Sequence, residues 1–370
     1  MTASRKAESL PPRDILGKFL LGFEGTSLPD ELRELLAAGL GGVAIYPRNF
    51  SSVEGLRALT EEIHRAADGP ALIGIDQEGG TKFSLPEPFT QWPSPAELGR
   101  LDDAATAEAQ ACAMANELRA VGVNLNFAPM LDLHVNPESP VTRGRSFGSD
   151  PHTVSRLGAA FIRGMRNEGV LACAKHFPGH GDAPVDPHED LPVYRGTARR
   201  LDAADLVPFD GAISEGVSLI MTAHILLPEI DSTRPASLSR KLLTEVLRER
   251  MGFGGIILAD DLGMGAIARR YGVSEAAVET LRAGSDMAML CHDWQLVQPA
   301  IEKVAEVRER GGFVESKWNA SGRRIGWACH AACTGDAEDS TQGLHVVGCA
   351  EHRQLTEEIR EQVKRTKMLP

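Results

Sequence analysis

Residues 254–261 read GGIILADD, an apolar run closed by two acids. The run is too short for a typical helix and has no alternating polar face, which is the composition of a strand covered on both sides. The same plan recurs along the chain. KFLLGFEG (18–25), GGVAIY (41–46), ALIGID (71–76), NLNFAP (124–129), VLACAKHF (170–177) and SLIMTAH (218–224) precede it, and SDMAMLC (285–291) follows. Longer stretches with a helical period lie between these runs. In 104–121, Ala104, Ala107, Ala111, Met114, Ala115 and Leu118 recur near every 3.6 residues. Segments 152–167, 204–215, 240–250 and 293–310 behave similarly.

Strands alternating with helices imply a parallel sheet with helical crossovers, and eight is the number of strands that closes a barrel. A doubly wound open sheet is the competing architecture. It predicts a glycine-rich phosphate turn after the first strand, yet GFEGTSLPDE (22–31) lacks the G-x-G-x-x-G spacing. The strand ends decide between the two. IYPRN, GIDQE, AKHF, MTAH, LADD and MLCHD all turn polar where the apolar run stops. A barrel gathers such ends on one face, whereas an open sheet spreads them along an edge. The expected fold is therefore a (β/α)8 barrel spanning residues 1–326. From 327 onward the beat breaks: GWACHAACTGDAEDSTQG is small and polar, and EHRQLTEEIREQVKRTK reads as an exposed charged helix. Residues 327–370 are expected to be a C-terminal extension that is solvated or packs as a tail.

Bulk composition narrows the partners. The 370 residues carry 42% hydrophobic and 24% charged side chains, ordinary for a globular chain, and a formal net charge of -12. No long basic run is present, so neither a nucleic acid nor an anionic membrane surface is an expected partner. The N-terminal MTASRKAESLPPRDILGKFLLGF lacks the order of a secretory signal, and no stretch approaches a membrane span. The six cysteines form no disulfide framework, so a cytoplasmic location is the expectation. Cys329, His330, Cys333 and Cys349 in the extension lack the paired close spacings of a structural zinc site.

Asp260 ends the GGIILAD run and stands at a strand mouth. It suits a helix N-cap, and with two consecutive acids one can cap while the other faces the mouth. A carboxylate there can attack an anomeric carbon, because negative charge stabilises an oxocarbenium-like transition state. A second cluster, KHFPGHGDAPVDPHED (175–190), holds three histidines and admits three readings. His176 and His180 are four apart, like a helical zinc pair, but Pro178 and Gly179 between them make a helix untenable, so no metal is expected. Asp186 and His188 are two apart and share a face in an extended segment, where the carboxylate fixes the imidazole's tautomer. Such a pair can protonate a leaving oxygen and then activate water. A polar loop that merely covers the barrel remains the alternative. Lys175 and His176 sit at the end of the LACA run, and with Asp76 and Arg145 they offer charged groups suited to a polyhydroxylated ligand.

The stretches GIDQEGG (74–80), NFAPMLDLHVNP (126–137), RSFG (145–148), KHFPGHGD (175–182), D-x-H (186–188), MTAHI (221–225) and ADDLGMGA (259–266) together resemble glycoside hydrolase family 3. The likeness is to its single-domain β-N-acetylglucosaminidase branch, and it runs from about residue 15 to 326. It implies a (β/α)8 barrel and a retaining mechanism without metal or organic cofactor, acting on an N-acetylglucosamine-containing carbohydrate. By motif position, Asp260 corresponds to the nucleophile, His188 to the general acid–base and Asp186 to its partner. Asp76, Arg145, Lys175 and His176 correspond to sugar-binding positions. The chain departs from the family pattern after DQEGG, where Thr81-Lys82-Phe83-Ser84 replaces an arginine-bearing R-V-x-R, with Lys82 as a candidate substitute. It departs again at Val141-Thr142-Arg143-Gly144, where Arg143 is a candidate to compensate. The resemblance extends to a role in bacterial cell-wall muropeptide recycling. A phosphorylase or β-glucosidase on the same scaffold, or a sugar-binding protein without turnover, are the competing functions.

Overall fold

A strand of consecutive apolar residues needs cover on both faces, and here a closed barrel supplies it. In a computed structural model describing residues 10–82, 85–181, 183, 185–334 and 343–366, ten strands form. They are β1 (Phe19–Leu21), β2 (Gly42–Ile45), β3 (Leu72–Ile75), β4 (Leu125–Asn126), β5 (Leu171–Phe177), β6 (Leu219–Thr222), β7 (Leu226–Leu227), β8 (Asp231–Pro235), β9 (Ile256–Asp261) and β10 (Met287–Leu290). Eight of them close a barrel in the order β1-β10-β9-β6-β5-β4-β3-β2, with every pairing parallel. This is the expected (β/α)8 barrel, and each expected strand run contains one barrel strand. The antiparallel β7–β8 pair is an addition after β6.

Alternation divides each strand between two cores. Leu20, Ala44, Leu72, Leu125, Cys173, Leu219, Ile256, Leu258 and Met287 point into the barrel lumen. Their neighbours Phe19, Val43, Ile73, Ala172, Ile220, Ile257 and Ala288 join the layer between sheet and helices. Phe127 fills the lumen beside β3, where a Cβ at Gly74 would lie 2.3 Å from its ring. Only glycine fits there.

The N-terminal end of the barrel is stoppered. Ile325, Ala328 and Cys329 of the helix Glu315–Thr334 belong to the lumen cluster, so the 326/327 boundary falls inside that helix. Lys18 Nζ donates to Ser321 Oγ at 2.7 Å and to the Trp318 carbonyl at 3.2 Å. Arg324 and Arg248 both pair with the fully buried Asp286. The later helix Ala350–Thr366 lays Thr356, Ile359 and Val363 against the barrel's outer helices. His352 Nδ1 reaches Glu117 at 3.0 Å beneath it.

Burial pushes the Lys18 ammonium from its ordinary 10.5 down to about 8, with Asp286 opposing the shift. The unfolded chain therefore binds more protons between about pH 8 and 10.5, so this group makes the fold more stable as pH rises through that window. Lys18→Met is expected to lose that rise. Urea denaturation at both ends of the window checks it, and an identical pH response in the two proteins would contradict it.

Candidate active site

The barrel alternation carries on past the strand ends. Leu72 and Gly74 face the lumen on β3, so Asp76 does too; Cys173 on β5 predicts the same for Lys175, and Leu258 on β9 for Asp260. At this C-terminal mouth lies a cavity of about 300 Å³. Asp76, Arg145, Lys175, His176, Asp186, His188 and Asp260 all line it, so every expected site residue is brought to one place.

The floor is a buried chain of ions. Lys175 Nζ lies 2.6 Å from Asp76 Oδ1 and 2.6 Å from Glu78 Oε1. Arg145 grips the same Glu78 through Nη2 at 2.7 Å and Nε at 2.8 Å, and donates to the Val141 carbonyl at 3.0 Å. Burial alone would raise the Glu78 carboxyl, but Arg145 and Lys175 hold it down at about 2. Burial would likewise discharge Lys175, yet Asp76 and Glu78 keep its ammonium above the ordinary range. The arrangement keeps charged donors at the mouth without leaving any of them unpaired, which a dry interior requires.

A second buried centre sits beside it. Asp132 Oδ2 accepts from His176 Nδ1 at 2.8 Å and its Oδ1 from His180 Nδ1 at 3.0 Å. Both backbone amides, of His176 and His180, reach the same carboxylate at 3.2 and 2.7 Å. The four-residue spacing of His176 and His180 presents a metal pair only on a helix, which Pro178 and Gly179 exclude. The turn through Pro178 and Gly179 brings the two imidazoles together regardless, with ring centroids 5.0 Å apart. Ligand atoms of these three residues lie within 4.8 Å of one another, close enough for a metal. Both Nδ1 atoms are already committed to Asp132, so the trio works as a lock on the strand end. Burial lowers the pKa of His176 against the pull of Asp132, so it stands neutral, with Nε2 as its remaining hydrogen-bonding atom.

Asp260 is recessed between these centres. Burial would raise its carboxyl, but the facing His224 and His176 rings, the Asp261 N–H and Lys175 hold it below the ordinary 3.8. The Asp261 amide donates to Asp260 Oδ1 at 2.8 Å. Asp261 itself turns aside, its Oδ1 accepting from the amides of Gly263 and Cys291 at 3.0 and 3.3 Å. His224 bridges Ser237 Oγ at 2.7 Å and the Asp261 carbonyl at 3.0 Å, bracing the end of β9. The two adjacent acids thus divide their work: Asp260 faces the mouth and Asp261 supports it.

Across the cavity, Asp186 Oδ1 accepts from His188 Nδ1 at 2.7 Å and from the His188 amide at 3.0 Å. Burial raises the Asp186 carboxyl and the His188 amide and ring lower it further, leaving it below its usual value. With Nδ1 held, Nε2 is the ring nitrogen left for proton transfer. The imidazole is 61% exposed, in contrast to the buried His176, His180 and His224.

Residues 21–327 match the family model described as the glycosyl hydrolase family 3 N terminal domain. The chain belongs to glycosyl hydrolase family 3. This family 3 chain is similar to the β-hexosaminidase of Thiobacillus denitrificans, with 40% identity over 296 residues, 78% of this chain and 82% of that one. Among solved structures, a glycoside hydrolase family 3 β-N-acetylglucosaminidase from Paenibacillus sp. overlays with a TM-score of 0.89 at 35% identity. That overlay covers 96% of this chain and 69% of the other. A β-glucoside phosphorylase bound to 2FGlc overlays with a TM-score of 0.85 at 27% identity, over 95% of this chain and 65% of the other. Family 3 membership makes the chain a glycoside hydrolase.

The family 3 site contains further groups with no local signal in the sequence. Glu78 and Asp132 were inside quoted motifs, yet nothing local marks an acid as the partner of a basic residue scores of positions away. Tyr46, Asp261 and His292 also line the cavity, with the Tyr46 and His292 rings 5.2 Å apart. Of the two candidate replacements for family arginines, Lys82 lines the cavity and donates to the Pro140 carbonyl at 3.3 Å. Arg143 is exposed and takes no part in the lining, so it does not compensate at the mouth. Phe83, Ser84 and Asp182, and the side chain of Cys333, lie outside the described residues. Among the described residues no helix is long and apolar enough to cross a membrane.

Proposed function

We propose that this chain is a retaining exo-β-N-acetylglucosaminidase acting on terminal N-acetyl-β-D-glucosaminides. The observation that carries the reading is one cavity holding a recessed Asp260 opposite the His188–Asp186 pair. In the first step His188 Nε2–H protonates the glycosidic oxygen as an Asp260 oxygen attacks the anomeric carbon. The C–O bond breaks, the aglycone leaves as an alcohol, and the sugar is held as an ester of Asp260. In the second step His188, now neutral, takes a proton from water, and the hydroxide displaces Asp260. The imidazolium that enters the first step, and that the second step regenerates, lies against the Asp186 carboxylate, which stabilises it. Asp76, Arg145, Lys175 and His176 supply the donors and acceptors for the sugar hydroxyls. No cofactor enters the balance of either step. Two relatives bearing the names β-hexosaminidase and β-N-acetylglucosaminidase support the sugar, and a cytoplasmic role in bacterial muropeptide recycling is part of the same reading.

His188→Ala is expected to lower kcat/KM on a disaccharide substrate by roughly 10²–10⁴-fold, the range of general acid–base catalysis. Equal activity of the variant and the parent would remove His188 from the mechanism. Phosphorolysis is the second reading, favoured by the similarity to a β-glucoside phosphorylase and by an imidazole in place of a carboxylate. A histidine repels incoming phosphate less than an anion does. Assays in phosphate buffer that measure sugar 1-phosphate against free sugar separate the two. A β-glucoside turned over faster than the N-acetylated analogue would shift the substrate class, and tight N-acetylglucosamine binding without turnover would mark a non-catalytic sugar binder.

A further inference from the structure

His188 stands on a loop, and its imidazole touches nothing outside that loop among the described hydrogen bonds except solvent. Its backbone is another matter. Successive residues of the loop rest on the segment that follows the strand bearing Asp260. The Ala266 amide donates to the Pro187 carbonyl at 3.1 Å, and Arg269 Nη1 donates to the Glu189 carbonyl at 3.0 Å. Arg270 Nη2 pairs with Asp190 at 2.8 Å. Between them, a Cβ placed on Gly265 would lie 2.5 Å from the His188 carbonyl oxygen and 3.1 Å from that of Glu189. These are backbone atoms, which cannot swing aside as a side-chain tip could. The same segment is tied back to the nucleophile strand, with Met264 N donating to the Asp261 carbonyl at 3.0 Å.

The Arg270–Asp190 pair is more than half exposed on both sides, so water screens it and it grips weakly. The close approach at position 265 is steric and unscreened. We infer that Gly265 is a positioning residue. Its lack of a side chain lets the His188 carbonyl lie against the segment leaving β9, which sets where the acid–base imidazole stands relative to Asp260. Arg269 and Arg270 hold the loop down on that seat. The inference rests on the acid–base reading of His188, and the test keeps the two separable.

Gly265→Ala, Arg269→Ala/Arg270→Ala and His188→Ala are compared with the parent on two substrates. The 2,4-dinitrophenyl N-acetyl-β-glucosaminide has a leaving group that departs without protonation, whereas N,N′-diacetylchitobiose requires it. The readout is kcat/KM, which reports the chemistry up to aglycone departure. Gly265→Ala is expected to lose roughly ten- to hundredfold on the disaccharide, the scale set by displacing a catalytic group by about an ångström, and little on the dinitrophenyl substrate. The double arginine variant is expected to show the same selectivity at smaller size, and it keeps the test alive if Gly265→Ala fails to fold. Equal losses on both substrates in both variants, or no loss in either, would overturn the positioning role. If His188→Ala itself shows no selectivity for the disaccharide, the acid–base reading fails instead.

Discussion

Asp260→Ala is expected to lose about four orders of magnitude or more in kcat, the scale at which removal of a covalent nucleophile acts. Asp260 is the carboxylate recessed between Lys175, His176 and His224, and those neighbours keep it ionised despite burial. Its position on β9 is braced through Asp261 and His224, so truncation removes the attacking oxygen while leaving the strand end supported. A fluorinated sugar that slows breakdown of the intermediate should trap the glycosyl-enzyme, and mass spectrometry should find the label on Asp260. A label on any other residue, Asp261 included, would sink the mechanism. The same variant should keep the parent's melting temperature, because the carboxylate lines an open cavity and is not part of the buried ion chain.

The second large effect is expected at Glu78, which touches no proposed reacting atom. Glu78→Gln leaves Arg145 and Lys175 buried with one anion fewer between them, and removing one partner of a buried pair costs about 3–5 kcal/mol. Urea denaturation at neutral pH measures it, and a change below about 1 kcal/mol, the range of an exposed pair, would contradict the reading. The pH dependence has a definite sign. The folded carboxyl sits near 2 against an ordinary 4.5, so its stabilisation is fully present above 4.5 and is lost as pH falls toward 2. Glu78→Gln should lack that part of the acid sensitivity. Activity should fall as well, chiefly through KM, since Lys175 and Arg145, no longer bridged by a shared carboxylate, are held less firmly at the cavity floor.

Fold and site were legible in the sequence to different depths. All eight barrel strands could be read because each is buried on both faces, so it must be continuously apolar and short. The β7–β8 pair escaped because β8, Asp231–Pro235, is largely solvent-facing and carries no apolar run. Asp260, Lys175 and Asp76 could be found because a charge at the end of an apolar strand is a local signal. Glu78 and Asp132 could not, because their meaning lies in partners 67 and 44 residues away, Arg145 and His176. His176 and His180 were judged by helical spacing, whereas a turn brings them onto one carboxylate.

The Glu315–Thr334 helix makes the same point at the other end of the barrel. From residue 327 its small residues and two cysteines read as the start of an appendage, yet Ala328 and Cys329 are small because they enter the lumen. What the sequence by itself determined was local: which runs must be buried, which ends are charged, and that the count of eight closes a barrel. Hydrophobic periodicity carries that much, since burial is paid for residue by residue along the chain. Which charge faces which, that Glu78 is shared by two cations, and that the His188 loop rests on Gly265 were decided only by the tertiary structure. Pairing and steric fit depend on distances in space, and one chain's order does not contain them until it has closed.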